Sequence, residues 1–110
     1  MIAKRTLKLK RDHDVCEIAV RVYAPEGEGR IWSCRYEIDW PEGTQVMDVS
    51  GVDSIQSLLL AFQMIGADLY TSSYHKSGRL MFDEPGQGYG FPVPNSLRDL
   101  LIGHDREYGA

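Results

Sequence analysis

Residues 32–70 read WSCRYEIDWPEGTQVMDVSGVDSIQSLLLAFQMIGADLY, and the spacing of the apolar residues changes within this stretch. Over residues 32–40 apolar and polar side chains alternate, which is typical of a β-strand with one buried face. Pro41 and Gly43 then predict a turn, and a further strand is expected over about 45–50. Further along, the apolar residues follow the helical period of about 3.6 residues. The stretch therefore predicts strands followed by one long amphipathic helix.

The helix is predicted over about residues 54–70 and has a recognisable start. Asp53 is a good N-cap residue, and Gln56 follows three positions later, as in a capping box. We expect one face of this helix to pack on the apolar side of the sheet. The side chains predicted for that face are Ile55, Leu58, Leu59, Phe62, Ile65 and Leu69.

Two further strands are predicted ahead of this stretch by the same alternation. The first spans about residues 2–11, with Leu7 and Leu9 on one face and lysines on the other. The second follows a turn at residues 12–14 and is broken by Pro and Gly at residues 25–29. Its inward side chains are Cys16, Ile18, Val20 and Val22. Short links between four alternating segments predict an antiparallel meander with one buried face.

The elements predicted beyond the helix are short. Residues 79–83 form a candidate fifth strand, and residues 84–94 form a loop rich in Gly, Pro and aromatic side chains. A final helix is expected over about 97–102, with Gly103 as its stop. The predicted fold class is α+β: an antiparallel meander of four or five strands, one long amphipathic helix on one face and a short C-terminal helix. Residues 1–110 are expected to form a single domain.

Composition and charge exclude several classes of protein. With 43% hydrophobic and 25% charged residues the chain is expected to fold, and its formal net charge of −4 argues against a nucleic acid partner. Residues 1–11 carry five basic groups and no acid, which favours either nucleic acid or membrane contact or a basic strand beside an acidic neighbour. Alternation in this segment favours the strand. The basic residues also interrupt any apolar run, so we expect a cytoplasmic protein without a signal peptide or a membrane partner.

The two cysteines are predicted to stay reduced. Cys16 and Cys34 both point inward on neighbouring strands, and a turn centred near Gly27 would place Cys34 opposite Val20 or Val22. Cys16 would then lie roughly 13–20 Å away at about 3.3 Å per residue. A disulfide requires Cα atoms within about 7 Å. Both thiols are therefore expected to behave as small buried hydrophobic groups.

Residue spacing predicts no catalytic residue, no metal site and no cofactor. The three histidines, His13, His75 and His104, are not spaced from one another or from a cysteine as metal ligands are. His13 and His104 are interpreted as solvated loop residues. The glycines at 86, 88 and 90 lack the following Lys and the helix start that a phosphate-binding loop needs.

An alternative interpretation places a small-ligand pocket or a hydrolytic site just past the long helix. His75 lies among hydroxyl-bearing residues and would join a hydrolytic set if Asp83 or Glu84 folded back towards it. The spacing of these residues does not require such a set. The candidate lining residues are Tyr70, His75, Lys76, Tyr89, Phe91 and Ser96.

The leading hypothesis is a non-enzymatic protein-interaction domain. Leu60, Met64 and Ala67 form a second apolar stripe on the long helix, away from its predicted core face. One sheet cannot cover both sides of a helix, so this stripe is expected to contact the C-terminal segment, a second copy of the chain or another protein. A homodimer and a complex with a protein partner both follow from this hypothesis. Nucleic acid binding through the basic first strand ranks third.

Several segments resemble a known family. They are residues 51–62 (GVDSIQSLLLAF), 33–36 (SCRY), 74–78 (YHKSG) and 89–94 (YGFPVP). Together they look like a family of short bacterial proteins catalogued only as a domain of unknown function, which implies a small bacterial cytoplasmic protein and assigns no catalytic residue. The helix start G-V-D-S-x-Q-x-L is also similar to segments of bacterial toxin-immunity proteins, and this likeness favours the interaction hypothesis.

Overall fold

The computed structural model of the protein describes residues 1–108 and has an α+β fold. Its strands are β1 (Ala3–Lys10), β2 (Val15–Val22), β3 (Glu26–Glu28), β4 (Ile31–Trp40), β5 (Gly43–Gly51) and β6 (Leu80–Met81). Its helices are α1 (Ser54–Thr71), α2 (Ser73–Lys76) and α3 (Gly103–Tyr108), with a 3₁₀-helix at Asn95–Leu100. The predicted fold class is confirmed.

The strands form one antiparallel sheet. β4 pairs with β2, β3 and β5, and β1 lies between β2 and β6. The four predicted strands, β1, β2, β4 and β5, are therefore neighbours in chain order, and the predicted meander is confirmed. The fifth strand is shorter than predicted, because only Leu80 and Met81 of β6 pair with β1.

β3 occupies a segment that the sequence predicted as a turn. β5 pairs with β4 along residues 32–40, so β2 and β3 share the other side of β4. Val22 of β2 lies opposite Tyr36, but the register has advanced by one residue at β3, where Gly27 lies opposite Trp32. The segment between β2 and β3 therefore contains one residue more than the β4 segment opposite it, as in a β-bulge. Pro25 lies in this segment and has no amide N–H that would be left unpaired.

The predicted turn centred near Gly27 was wrong, because the hairpin turn lies at residues 29 and 30. Glu28 and Ile31 face each other across this two-residue loop. Gly29 has a φ of 61°, as the first position of a type II′ hairpin turn requires. Gly27 instead packs closely on β4: a Cβ atom there would lie 2.3 Å from the Ile31 carbonyl oxygen. Gly27 is thus a close-packing glycine and not a turn glycine.

The shifted turn changes the pairing predicted for the cysteines. Val22 lies opposite Tyr36, so the predicted position of Cys34 opposite Val20 or Val22 was wrong. Both cysteines are nevertheless free thiols, as predicted, with Cys34 buried and Cys16 half-buried. Burial raises the pKa of the Cys34 thiol, which disfavours the reactive thiolate.

The chain divides into two compact units. The first contains Met1–Thr6 and Ile18–Phe62, and the second contains Leu7–Glu17 and the chain from Gln63 onward. The single domain over residues 1–110 stays a prediction, and its last two residues lie outside the described part. The core of the first unit includes Ile18, Val20, Val22, Cys34, Tyr36, Ile38 and Ala61. That of the second includes Leu7, Leu9, Ile65, Leu69, Tyr70, Leu80, Tyr89, Phe91, Val93 and Leu101.

The start of α1 matches its prediction. The Asp53 Oδ1 atom accepts a hydrogen bond from the Gln56 amide at 2.7 Å. The Gln56 side chain in turn accepts one from the Val52 amide at 2.7 Å. The first bond satisfies a backbone donor that the first helical turn leaves unpaired, and the second holds the residue before the cap, Val52, against the helix start.

The predicted core face of α1 was wrong in its first two turns. Ile55 and Leu59 are 64% and 56% exposed, whereas Ser57 and Ala61 are buried. The cause is a close approach of the backbone: a Cβ atom on Gly51 would lie 2.5 Å from the Ser57 amide nitrogen. The backbones of β5 and α1 therefore meet closely at Ser57, and the large apolar side chains of Ile55 and Leu59 point to solvent instead.

The C-terminal segment holds two short helices where one was predicted. The 3₁₀-helix ends at Leu100 and α3 begins at Gly103, so the prediction of one helix over 97–102 stopped by Gly103 was wrong. Gly103 has a φ of 55°, and a Cβ atom there would lie 2.4 Å from the Gln87 carbonyl oxygen. His104 consequently lies in α3 and not in a loop, although it is exposed. No helix within residues 1–108 is long and apolar enough to cross a membrane.

Candidate functional site

The structure brings part of the predicted pocket together. Tyr70 in the last turns of α1, His75 in α2 and Tyr89 in the loop after β6 are in mutual ring contact, with centroids 4.9 to 5.5 Å apart. We call these three residues the aromatic cluster. The other predicted lining residues are Phe91, which is buried, and Lys76 and Ser96, which are exposed.

A buried carboxyl group that the sequence did not indicate binds the aromatic cluster. Asp105, in α3, is 1% exposed. Its Oδ2 atom accepts hydrogen bonds from the Tyr70 hydroxyl at 2.5 Å and the Tyr89 amide at 2.7 Å, and its Oδ1 atom accepts one from the Gly90 amide at 2.8 Å. Gly88 has a φ of 90°, and a Cβ atom there would lie 2.7 Å from the Asp105 Cγ atom. The loop backbone is therefore wrapped tightly around this carboxyl group.

The hydrogen bonds of Asp105 limit what the site can do chemically. Both carboxyl oxygens accept from protein donors, so Asp105 is placed to hold the loop and not to take a proton from a substrate. Asp83 and Glu84 are exposed, and their amides donate to the Gln87 side chain at 3.4 and 3.3 Å. Neither acid contacts the ring of His75 within the described residues.

Burial also disfavours charge in the aromatic cluster. The His75 Nδ1 atom and the Tyr89 hydroxyl are 2.5 Å apart, and burial lowers the pKa of His75. Burial raises the pKa values of Tyr70 and Tyr89, and the neighbouring Asp105 raises both further. The imidazole and the two phenols are therefore neutral at neutral pH, which suits hydrogen-bonded packing.

The predicted interaction stripe on α1 is half-buried. Leu60, Met64 and Ala67 each keep part of their surface accessible. The larger apolar exposure on this helix lies nearer its start, at Ile55 and Leu59. The stripe is thus less exposed than the helix start, and its role as a contact surface stays a prediction.

β5 is a long edge strand. It pairs with β4 over nine residues, and no other strand within residues 1–108 pairs with its far side. Most of its side chains are exposed, including Val46 at 50% and Met47 at 38%. The unpaired side of an edge strand presents N–H and C=O groups to any extended chain that approaches it.

The register shows which β5 residues face the open side. Trp40 and Gly43 flank a two-residue hairpin loop, so this pair exchanges hydrogen bonds. Alternation then directs the backbone groups of residues 45, 47 and 49 towards β4. The Tyr23 amide donates to the Arg35 carbonyl, so the backbone groups of odd-numbered β4 residues point towards the β2 side. Those of even-numbered β4 residues then point towards β5, where they meet residues 45, 47 and 49. The outward-pointing residues, which we call the open edge, are Thr44, Val46, Asp48 and Ser50.

The other outer strands expose far less backbone. β3 has three residues, two of which are Glu, and β6 has only two residues. Short length and charged side chains are two ways in which edge strands are kept from pairing with another chain. β5 has nine residues and one charged side chain, Asp48, so it has neither protection.

Ion pairs cover the sheet face that carries the open-edge side chains. Arg21 of β2 contacts Asp39 of β4 at 2.6 Å, and Thr44 donates a hydrogen bond to Asp39 at 2.7 Å. The hydrogen bond from Arg21 lowers the pKa of Asp39 to about 2. Arg35 pairs with Asp48 at 3.3 Å. These contacts tie β5 side chains to β4 and do not use the outward backbone groups of β5.

Comparison with known proteins identifies the family of the chain. A family model described as a domain of unknown function (DUF6968) matches residues 3–93, and the chain belongs to this family. No curated protein and no solved structure matches the chain. The resemblance to a family of unknown function, expected from the sequence, is confirmed.

Proposed function

We propose that the protein is a non-enzymatic interaction domain that binds an extended segment of a protein by adding it to the sheet at β5. The observation that carries this proposal is the nine-residue edge strand whose open edge directs N–H and C=O groups outward. An added strand exchanges hydrogen bonds with these groups and thereby gains sequence-independent affinity.

The exposed side chains of β5 support the same proposal. Val46 and Met47 lie on opposite faces of the strand, because side chains alternate along it. A bound segment would cover apolar surface on both faces, which contributes about 25 cal/mol for each Å² removed from water. The unbranched Met47 side chain adapts readily to the surface that it meets.

The aromatic cluster favours binding over catalysis. Asp105 has its oxygens occupied, and burial favours the neutral forms of His75, Tyr70 and Tyr89. A general base must reach a substrate proton, whereas the Asp105 carboxyl group is buried and accepts three hydrogen bonds from the protein itself. We therefore assign the cluster a structural role in fixing the loop of residues 84–94.

The stripe formed by Leu60, Met64 and Ala67 is a second candidate contact surface of the same domain. A folded Leu60→Asp chain that no longer self-associates in sedimentation equilibrium would assign the contact to this stripe. Unchanged self-association would leave β5 as the surface. A collapse of stability would instead place Leu60 in the core.

The proposed setting is the cytoplasm of a bacterium. Two free cysteines agree with a reducing compartment. The likeness of residues 51–58 to the helix start of toxin-immunity proteins supports a role in binding another protein and indicates no particular partner.

Peptide display tests strand addition at β5. Randomised nine-residue peptides are selected on the wild-type protein and then measured by fluorescence polarisation against Val46→Pro and Val46→Thr. Proline removes an outward N–H without removing a hydrogen bond to β4, whereas threonine keeps the N–H and the β-branched shape. Circular dichroism verifies that both variants are folded.

We expect Val46→Thr to bind the selected peptides as the wild type does. Val46→Pro should lose about tenfold or more in affinity, because the added strand loses a hydrogen bond and meets the proline ring. Equal affinities of the two folded variants, or a selection that yields no binding peptide, would contradict the proposal.

A further inference from the structure

We propose that the segment received at β5 is β5 of a second copy of this chain, which joins two sheets edge to edge in a twofold-symmetric dimer. This inference rests on the proposed function. A twofold interface uses the same surface on both copies, so the strand must be complementary to itself when it runs antiparallel. Within residues 1–108, β5 is the strand that lacks a strand partner on one side over its whole nine-residue length, whereas the outer side of β1 pairs with β6 at Lys8 and Leu9; we therefore take β5 as the edge that a second copy can offer.

One register pairs the two strands along their whole length. With Met47 on the twofold axis, Gly43 of one copy lies opposite Gly51 of the other, and all nine residues are paired. Each outward-pointing residue then faces another outward-pointing residue: Thr44 faces Ser50, and Val46 faces Asp48. The outward N–H and C=O groups of each copy therefore meet those of the other copy, as an antiparallel ladder requires.

The side chains favour the same register. Thr44 opposite Ser50 places two hydroxyl groups together, a pairing that stabilises antiparallel strands. Asp48, the single charged residue of the strand, faces Val46 and keeps its ion pair with Arg35. The two copies of Met47 face each other across the axis. Their flexible side chains can adapt to each other's shape.

Neighbouring registers are worse for identifiable reasons. Centring the pair on Asp48 sets two carboxylates directly opposite each other, which is unfavourable. Centring it on Val46 leaves Ser50 without a partner inside the opposing strand. Registers that set an outward-pointing residue opposite an inward-pointing one cannot form the ladder.

Cysteine cross-linking tests the dimer and its register. In a Cys16→Ser background that keeps the buried Cys34, Met47→Cys places one thiol of each copy at the axis, where facing Cα atoms are about 4.5 Å apart. Val46→Cys is the matched control, because its two thiols would be diagonal neighbours about 7–8 Å apart. Oxidised glutathione accepts the electrons as each disulfide forms, and a non-reducing gel gives the dimer fraction. Sedimentation velocity follows the mass of the wild type and of Val46→Pro over a dilution series.

We expect the wild type to sediment as a dimer that dissociates on dilution. Met47→Cys should cross-link several-fold more than Val46→Cys, and Val46→Pro should raise the dimer dissociation constant about tenfold or more, since both copies lose an edge hydrogen bond. Preferential cross-linking of Val46→Cys would overturn the register. A wild type that stays monomeric, with no Met47→Cys cross-link, would overturn self-pairing.

The peptide selection separates failure of this inference from failure of the proposed function. If the wild type is monomeric but binds displayed peptides at β5, the second copy is excluded as the occupant and strand addition at β5 is still supported. A monomeric wild type that binds no peptide removes both. A dimer whose mass is unchanged by folded Val46→Pro overturns the assignment of β5 as the interface.

Discussion

At the scale of single residues, Asp105 shows how one side chain fixes a loop. The Tyr70 hydroxyl and the Tyr89 and Gly90 amides all donate to its carboxyl group, and Gly88 leaves room for it. The sequence did not indicate this role, because the Tyr70 and Tyr89 partners lie 35 and 16 positions away along the chain. Local spacing detects helix and strand periods, but it carries no information on such distant contacts.

Removal of the Asp105 side chain should destabilise the protein strongly. Asp105→Ala removes the carboxyl group that accepts from a buried hydroxyl and two amides, and we expect the free energy of unfolding to fall by about 2–4 kcal/mol. Urea denaturation gives the value. Asp99→Ala, at an exposed position of the 3₁₀-helix, is the control and should change stability by less than about 0.5 kcal/mol. A loss that is equally small for Asp105→Ala would contradict the proposed structural role.

His75 should contribute a pH dependence of known sign. Burial lowers its folded-state pKa below the ordinary value of 6.5, so the unfolded chain binds the proton more tightly. Its contribution to stability is fully present above pH 6.5 and is lost as the pH falls through the lowered pKa. As the pH is lowered from about 7 to about 5, we expect the free energy of unfolding to fall less for His75→Phe than for the wild type. Equal slopes for His75→Phe and the wild type would refute the assignment.

At the scale of elements, the strands could be predicted, but the buried face of α1 was predicted correctly only in its second half, where Ile65 and Leu69 are buried. Alternation gives the strand faces directly, because side chains point to opposite sides in turn. Alternation did not predict β3, because a bulge shifts the register there and because Pro25 and the glycines interrupt the alternation of apolar and polar residues. The period of α1 was read from its large apolar residues, whereas close packing against Gly51 selects the small Ser57 for burial.

The helix face gives a prediction that runs against simple hydrophobicity. Ser57→Leu adds apolar volume at a fully buried position next to the Gly51 backbone, and we expect a loss of about 1–3 kcal/mol in unfolding free energy. Ile55→Ser removes an exposed side chain and should change stability by less than about 0.5 kcal/mol. Thermal and urea denaturation measure both losses of stability. A larger loss for Ile55→Ser than for Ser57→Leu would indicate that the face predicted from the sequence period is the buried one.

At the scale of the whole molecule, net charge opposes association of two copies. Each chain carries a formal charge of −4, and salt screens the repulsion between them. We therefore expect the dimer dissociation constant to fall several-fold as the ionic strength rises from about 0.02 to 0.2 M. Sedimentation equilibrium at the two salt concentrations measures it. Nucleic acid binding through residues 1–11 predicts the opposite trend, a steep loss of affinity with salt.

Amide hydrogen exchange along β5 shows residue by residue whether another chain pairs with its open edge. Two-dimensional NMR at low and high protein concentration resolves each amide of the strand. We expect the amides of residues 45, 47 and 49 to be protected at both concentrations. The amides of the open edge, Thr44, Val46, Asp48 and Ser50, should become protected only at high concentration or on addition of a selected peptide. Open-edge amides that exchange rapidly while the dimer or the bound peptide is fully populated would contradict it.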